Sequence, residues 1–319
     1  MTAGETTRTR TADMAAIAEA AALLAAGHLV GIPTETVYGL AADASNGEAV
    51  ARIYAVKGRP GFNPLIVHLP DIEAARSHAR IEPLAEALAR RFWPGPLTLV
   101  LPRLEASPVA GLVTAGLPTI ALRVPAHPTM QAVLRALGKP IAAPSANRSG
   151  RLSPTQAGHV RDSLQGRLPL ILDAGPTMAG LESSIVSVLD GKARLLRQGA
   201  LSREQLEEVS GPLELAADAD PVAAPGMLLS HYAPALPLRL EAQDAAPNEY
   251  LIGFGPIGGD ANLSPDSDLA EAAANLFDFL HRAQSSGRAA IAVAPIPAHG
   301  LGAAINDRLR RAAGLAGHG

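Results

Sequence analysis

The apolar positions of this chain fall in short runs separated by polar turns, and their spacing changes along its length. Asp13–Ala26 is built of good helix formers and meets Gly27, which predicts a helix and its stop. Leu29–Ile32 has the continuous apolar character of a buried strand and leads into the hydroxyl-rich segment Pro33-Thr34-Glu35-Thr36-Val37-Tyr38-Gly39-Leu40. Asn46–Val56 reads as a second helix, with Lys57 in or just past its last turn, and Leu65–Leu69 as a strand ending near His68. Pro83–Phe92 is helical, and Trp93-Pro94-Gly95-Pro96 breaks it. Leu97–Leu101 and Thr119–Val124 read as strands, and His127–Leu137 as a helix. Pro140–Ala143 is a brief strand that delivers Pro144-Ser145-Ala146-Asn147. Ser153-Pro154-Thr155-Gln156 has the form of a helix start, with a cap hydroxyl, a proline in first position and a glutamine for the capping box. Leu170–Asp173, Ser184–Leu189 and Ala193–Leu196 are further strands, and Ser202–Val209 is a helix.

Strand and helix signals mix throughout residues 11–210, which predicts one larger α/β domain with a twisted mixed sheet and flanking helices. Residues 211–237 turn rich in Pro, Ala, Asp and Gly and read as a linker, which holds Pro225-Gly226-Met227 and His231-Tyr232-Ala233-Pro234. Residues 238–319 form a small C-terminal α/β unit: strands at Leu238–Leu240, Tyr250–Phe254 and Ala289–Val293, helices over Leu269–Gln284 and Leu301–Ala313.

Composition narrows the function. A chain of 319 residues with 48% hydrophobic and only 3% aromatic positions builds its core from small aliphatic pieces. The net charge of −3 argues against a protein that coats nucleic acid, so any RNA contact would use a local patch. The lack of cysteine excludes disulfides, thiolate metal sites and cysteine nucleophiles. Met1–Asp13 lacks the basic-then-apolar order of a signal peptide, and Ala15–Gly31 is too short and polar to span a bilayer. These features predict a cytoplasmic location and no membrane contact.

The chemistry gathers in a few places. Lys57 and Arg59 are pinned by Gly58 and Pro60 and followed by Asn63-Pro64, a tight turn that aims two cations at an anion such as a polyphosphate. Arg123 is a guanidinium inside an apolar strand and needs an anion, either a structural carboxylate or that of a substrate. His68 at a strand end reads by itself as a satisfied core residue, and Ser183-Ser184 by itself as a strand-edge turn. Gly253-Phe254-Gly255-Pro256-Ile257-Gly258 matches the dinucleotide fingerprint by letter, but Asp260–Asp266 is a polar loop where the phosphate-binding helix would have to open, so a plain glycine turn is the better reading. No Walker A sequence occurs, and no spacing of histidines or carboxylates resembles a metal cage.

Taken in order, Pro33–Leu40, Lys57-Gly58-Arg59-Pro60, Asn63-Pro64-Leu65-Ile66-Val67-His68, Pro94-Gly95-Pro96-Leu97-Thr98, Arg123-Val124-Pro125, Pro144–Gly150 and Gly180-Leu181-Glu182-Ser183-Ser184 resemble the YrdC-like threonylcarbamoyl-AMP synthases. The linker elements and the terminal unit resemble the longer two-domain form, in which the C-terminal domain is Rossmann-like. The resemblance implies that L-threonine, bicarbonate and ATP give threonylcarbamoyl-AMP and pyrophosphate. A downstream transferase complex would use the product to modify an adenosine of tRNA, and a weak contact with tRNA itself is among the expectations. It implies Lys57 and Arg59 as catalytic residues; Thr36, His68, Arg123, the backbone at Ala143 and Ser183 for threonine; and Arg59, Asn63, Thr119, Ser145, Asn147, Ser153, Arg197 and Tyr232, with His231 near it, for ATP. Magnesium would arrive with ATP, without a protein cage. Ser184, Ser187 and Gln198 stand where the family usually has threonine, aspartate and proline, and the last loosens the turn beside Arg197. Two other readings compete: a carbamoyl-transfer enzyme, whose usual cysteine-rich modules are missing, and an RNA-binding module using Lys57, Arg59, Arg123, Arg148 and Arg197, which the negative net charge disfavours.

Overall fold

A computed structural model describes residues 6–216 and 232–315. Pro225-Gly226-Met227 and His231 lie outside the described residues. The strands are β1 (Arg8–Thr11), β2 (Val30–Ile32), β3 (Gly39–Asp43), β4 (Ile66–His68), β5 (Leu97–Pro102), β6 (Thr119–Arg123), β7 (Ile141–Ala142), β8 (Leu170–Asp173), β9 (Ser184–Leu189), β10 (Lys192–Arg197) and β11 (Glu214–Leu215), followed by β12 (Leu238–Arg239), β13 (Glu249–Gly253), β14 (Ala261–Asn262) and β15 (Ala290–Val293). The helices are α1 (Met14–Ala25), α2 (Gly47–Lys57), α3 (Ile72–Ala75), α4 (Pro83–Phe92), α5 (Gly111–Thr114), α6 (Pro128–Leu137), α7 (Ala157–Leu164), α8 (Arg203–Ser210), α9 (Leu269–Gln284) and α10 (Leu301–Ala312).

Among the described residues the first eleven strands form one mixed sheet in the order β1-β8-β2-β3-β7-β4-β6-β5-β9-β10-β11, and the other four a parallel sheet in the order β12-β15-β13-β14. One face of the large sheet packs on α1 and α6 through Ala16, Ile17, Leu24, Met130, Val133 and Leu134. The other face carries a larger core in which Ile53 of α2, Leu88 of α4, Val160 of α7 and Leu206 of α8 meet strand residues such as Val67, Leu99 and Leu122. Successive strand residues point to opposite faces, so Ile66, Val100, Ala121 and Ile185 make a separate small cluster away from that larger core.

The helix ends follow from local chemistry. Asp13, Asn46 and Ser202 cap α1, α2 and α8 with side-chain oxygens, and Gly58 closes α2 in the left-handed conformation that leaves Lys57 in its last turn. The helix expected to begin at Ser153 begins instead at Ala157, and its cap residue Gln156 makes no capping bond. The cause is competition for the capping groups: the Ser153 hydroxyl donates to Glu182, and the Gln156 amide donates to Asp278 at 2.6 Å. Four strands, β1, β3, β11 and β14, go beyond the sequence reading. β1 pairs in parallel with β8 ahead of the expected domain start, β3 follows the threonine segment directly, and β11 pairs in parallel with β10 inside the expected linker. After β13 the glycine-rich segment leads through a turn into β14, a short strand inside the stretch expected to be a polar loop, and no helix opens until Leu269.

Candidate active site

The β2–β3 connection folds around one hydroxyl. Thr34 Oγ1 accepts from the backbone of Thr36 and Val37, donates to the Val37 carbonyl at 2.7 Å and lies 2.8 Å from Thr36 Oγ1. This fixes Thr36, fully buried, at the mouth of the sheet. β4 and β6 run in parallel with His68 opposite Arg123, so both side chains reach the same face. The bridge between Gly39 and Ser145 and the bond from Ala143 N to Ile66 O draw the Pro144–Asn147 loop to the same place. On the far side a bulge in β10 between Leu195 and Arg197 re-aims Arg197, whose guanidinium donates to Ser183 O at 2.8 Å and Ser183 Oγ at 3.1 Å.

These segments enclose a cavity of about 480 Å³, counting its mouth. Of the residues expected at a site, Thr36, Arg59, His68, Arg123, Ala143, Ser145, Ser183, Arg197 and Tyr232 line it. Asn63, Thr119, Asn147 and Ser153 do not. Asn63 stands behind Arg59, accepting from it through Oδ1 at 2.6 Å and through its carbonyl at 3.1 Å. Asn147 holds the Ser145 hydroxyl at 2.6 Å, and Thr119 lies in β6 opposite Pro102. Lys57, expected to be catalytic, also does not face the cavity: its ammonium is buried and donates to the carbonyls of Ser145 and Asn147. It braces the loop that carries Ser145, because an ammonium has donors only and two buried carbonyls need them.

Burial and mutual repulsion shape the charges. Burial, and then the neighbouring Arg59, drives Lys57 well below the usual lysine value. Arg59 is lowered to about 10, first by burial, and stays cationic at neutral pH. His68 is pushed down to about 3 by burial and by Arg123, so it enters the site as a neutral ring. Its Nδ1 is buried without a partner. Glu35, which the sequence reading left without a role, lies 2.8 Å from Arg123. The contact is an ion pair whose geometry falls short of a well-aligned hydrogen bond at Arg123 Nη2. Burial raises the Glu35 carboxyl, but the Arg123 charge, hydrogen bonding from Arg123 and the nearby backbone N–H groups of Glu35 and Ala126 together outweigh it, and the net shift is downward. Arg123 therefore has a structural carboxylate beside it and a donor still to use.

Glu182 and Arg308 were also missed. Glu182 lines the cavity and is bound by Arg308 Nε at 2.8 Å and by the Ser153 hydroxyl. Glu182 could have been found as the acid in a serine-rich turn; Arg308 carries no local signal in a helix with several arginines. Tyr232 is buried against Phe277, with ring centres 5.7 Å apart, and takes a left-handed backbone (φ 64°) that this packing sustains.

A mixed α/β sheet that collects arginines, hydroxyls and a neutral histidine in one cavity, with Tyr232 on its wall, defines a protein that gathers anionic small molecules. Residues 22–199 match the family model Sua5_yciO_yrdC, described as Telomere recombination, and residues 201–314 match Threonylcarbamoyl-AMP synthase, C-terminal domain. The chain belongs to this family, in its two-domain form. It is 41% identical to the threonylcarbamoyl-AMP synthase of Bacillus subtilis over 93% of each chain. The crystal structure of Pyrococcus abyssi Sua5 complexed with L-threonine superimposes with a TM-score of 0.88 at 37% identity, covering 97% of each chain. Full-length HypF, with phosphate and nucleotide bound, shares 22% identity and a TM-score of 0.52 over 58% of this chain and 29% of its own, a likeness of fold alone.

Proposed function

We infer that the cavity is where this chain makes threonylcarbamoyl-AMP from L-threonine, bicarbonate and ATP, releasing pyrophosphate. The chain is a nucleotidyltransferase. The observation that carries the assignment of the site is that Arg59, Arg123, Ser145 and Ser183 share one cavity.

On this reading Arg123 holds the threonine carboxylate with the donor left over from Glu35, while Thr36, neutral His68, the backbone at Ala143 and Ser183 frame the rest of the amino acid. The amine stays free to take up bicarbonate as a carbamate, with loss of water. A carbamate oxygen then attacks the α-phosphorus of ATP, and pyrophosphate leaves with the electron pair of the broken bond. No protein nucleophile is needed. Arg59, Arg197 and Ser145 face the phosphates, and Tyr232 faces the nucleotide. Asn63, Asn147 and Lys57 hold these groups from behind, Ser153 holds Glu182, and Thr119 stays an expected nucleotide contact from the sequence alone. Alignment of two bound reactants supplies up to about 7–11 kcal/mol of a barrier, and fixed cations supply the electrostatic part.

Among the described residues no three histidines or carboxylates gather, and Glu182 is already bonded to Arg308 and Ser153. A magnesium ion would come in on the triphosphate, where it would neutralise phosphate charge. The same reading places the chain in the cytoplasm and hands its product to a tRNA-modifying transferase complex, with any tRNA contact weak. Among the described residues no helix is long and apolar enough to cross a membrane. Pyrophosphate release from ATP that requires both threonine and bicarbonate tests the reading; release that ignores either one overturns it.

A further inference from the structure

Arg308 belongs to α10 of the C-terminal domain, yet its side chain is 1% exposed and ends at the wall of the cavity. Every face of the guanidinium is used. Nε donates to Glu182 at 2.8 Å, Nη2 to the Gln198 carbonyl at 2.8 Å and Nη1 to Asp307, and the central carbon lies 4.9 Å from the Tyr232 ring centre. Asp307 is itself bound by Arg311 at 2.9 Å. Apolar residues would hold two domains together at lower desolvation cost than a buried ion pair. The pair has a different use because of where Glu182 stands: the residue lines the cavity alongside Arg59 and Arg197. Unopposed, that negative charge would face the phosphates of ATP.

We propose that Arg308 is a positioning residue of the synthase site, which neutralises Glu182 and fixes the Tyr232 ring so that the C-terminal domain completes the nucleotide half of the cavity. The inference rests on the reading that this cavity takes ATP. Three observations support it together: the bond to Glu182, the cation over Tyr232, and the bond to the carbonyl of Gln198, which anchors the turn after Arg197. The Glu182 carboxyl is held low although burial opposes it, through Arg308 first and Arg197 next.

The test uses the full-length chain and four variants: Arg308→Met, Arg308→Lys, Glu182→Gln and the double variant Arg308→Met/Glu182→Gln. Calorimetry with a non-hydrolysable ATP analogue, and separately with L-threonine, reads each half of the site. Arg308→Met is expected to weaken the analogue by about tenfold or more, because it leaves a buried carboxylate beside the phosphates. Its threonine affinity stays within about twofold, and Arg308→Lys, which keeps the charge but not the fork, falls in between. The double variant regains analogue binding to within about threefold of Glu182→Gln alone, since removing the carboxylate removes the repulsion. A purely structural arginine would not be rescued in this way. Analogue binding unchanged in Arg308→Met, or a double variant as weak as Arg308→Met, overturns the proposal. If Arg308→Met melts before binding is measured, comparison of Glu182→Gln with the double variant decides it: a double variant more than about threefold weaker than Glu182→Gln overturns the proposal. A wild-type chain that binds the analogue but releases no pyrophosphate with threonine and bicarbonate sinks the reaction and leaves this inference standing. A wild-type chain that binds no analogue sinks both.

Discussion

Arg59 and Lys57 stand two positions apart and do different work. Arg59 faces the cavity, but it also donates to Asn63 O, Asn63 Oδ1 and Pro64 O, so it staples the loop on which it stands. Replacing it with alanine is expected to cut threonine-dependent pyrophosphate release by at least about a hundredfold, the usual loss when a fixed charge is removed from a reacting group. The sequence alone suggests that the fold survives this change untouched. The bonds to Asn63 and Pro64 predict otherwise: buried acceptors left without donors cost about 1–3 kcal/mol each, so the melting temperature of Arg59→Ala should drop measurably. Wild-type turnover in Arg59→Ala would refute its place among the phosphate contacts. Lys57→Met is expected to destabilise the chain by about 1–3 kcal/mol for the same reason, at the carbonyls of Ser145 and Asn147. A thermal melt unchanged from wild type would show that the ammonium is not the brace of that loop.

At the level of elements, the sequence was readable wherever a local signal decided the matter. α1, α2 and α8 announce themselves by Asp13, Asn46 and Ser202, and α4 by Pro83 at its start and Pro94 after its end. β1 was not readable, because Arg8–Thr11 is a polar, largely exposed edge strand whose partner β8 lies far along the chain. The false helix start at Ser153 failed for a related reason: its hydroxyl answers to Glu182, twenty-nine positions away. Close approach between distant segments also explains Gly180. It has φ +68°, and a Cβ there would sit 2.2 Å from the carbonyl oxygen of Ala273 in α9. Gly180→Ala is therefore expected to push α9 away and to cost about 2 kcal/mol or more, combining a left-handed backbone with a backbone clash. Differential scanning calorimetry would check it; an unchanged transition would mean that the two domains do not need this contact.

For the whole molecule, the motifs named most of the cavity wall, but not the residue that the second domain sets behind it. Thr36, Arg59, His68, Arg123, Ser145 and Ser183 sit in segments whose order along the chain is itself the signal, whereas Arg308 is legible only once Glu182 has been brought beside it. Removing residues 211–319 is accordingly expected to weaken retention of a nucleotide by about tenfold or more, since Glu182 loses its counter-charge and Tyr232 is lost outright. Equal nucleotide affinity in the truncated chain would contradict this. Stability is also expected to fall in mild acid. His68 and His159 are pushed down to about 3, and His78, His127 and His281 are lowered too, with burial the first cause in each. The unfolded chain binds these protons near the ordinary value of 6.5 and the folded chain does not, so stability is full above 6.5 and is lost as pH falls. The loss is up to about 1.4 kcal/mol per pH unit for each fully buried ring. A melting temperature that holds steady from pH 7 to pH 5 would contradict the burial of these rings. His159 and His281 stack at 3.8 Å across the two domains, so the acid-labile contact lies where they join.

The two domains do not own separate interiors. Leu152 and Leu181, on segments that run to the cavity, pack with Phe277, Leu280 and Ile305 of the C-terminal domain rather than with the core of the large sheet. A free-standing N-terminal half would turn both leucines out to water as a greasy seam beside its catalytic pocket. Anyone expressing that half alone would need to repaint the seam with polar side chains to keep the product from clumping.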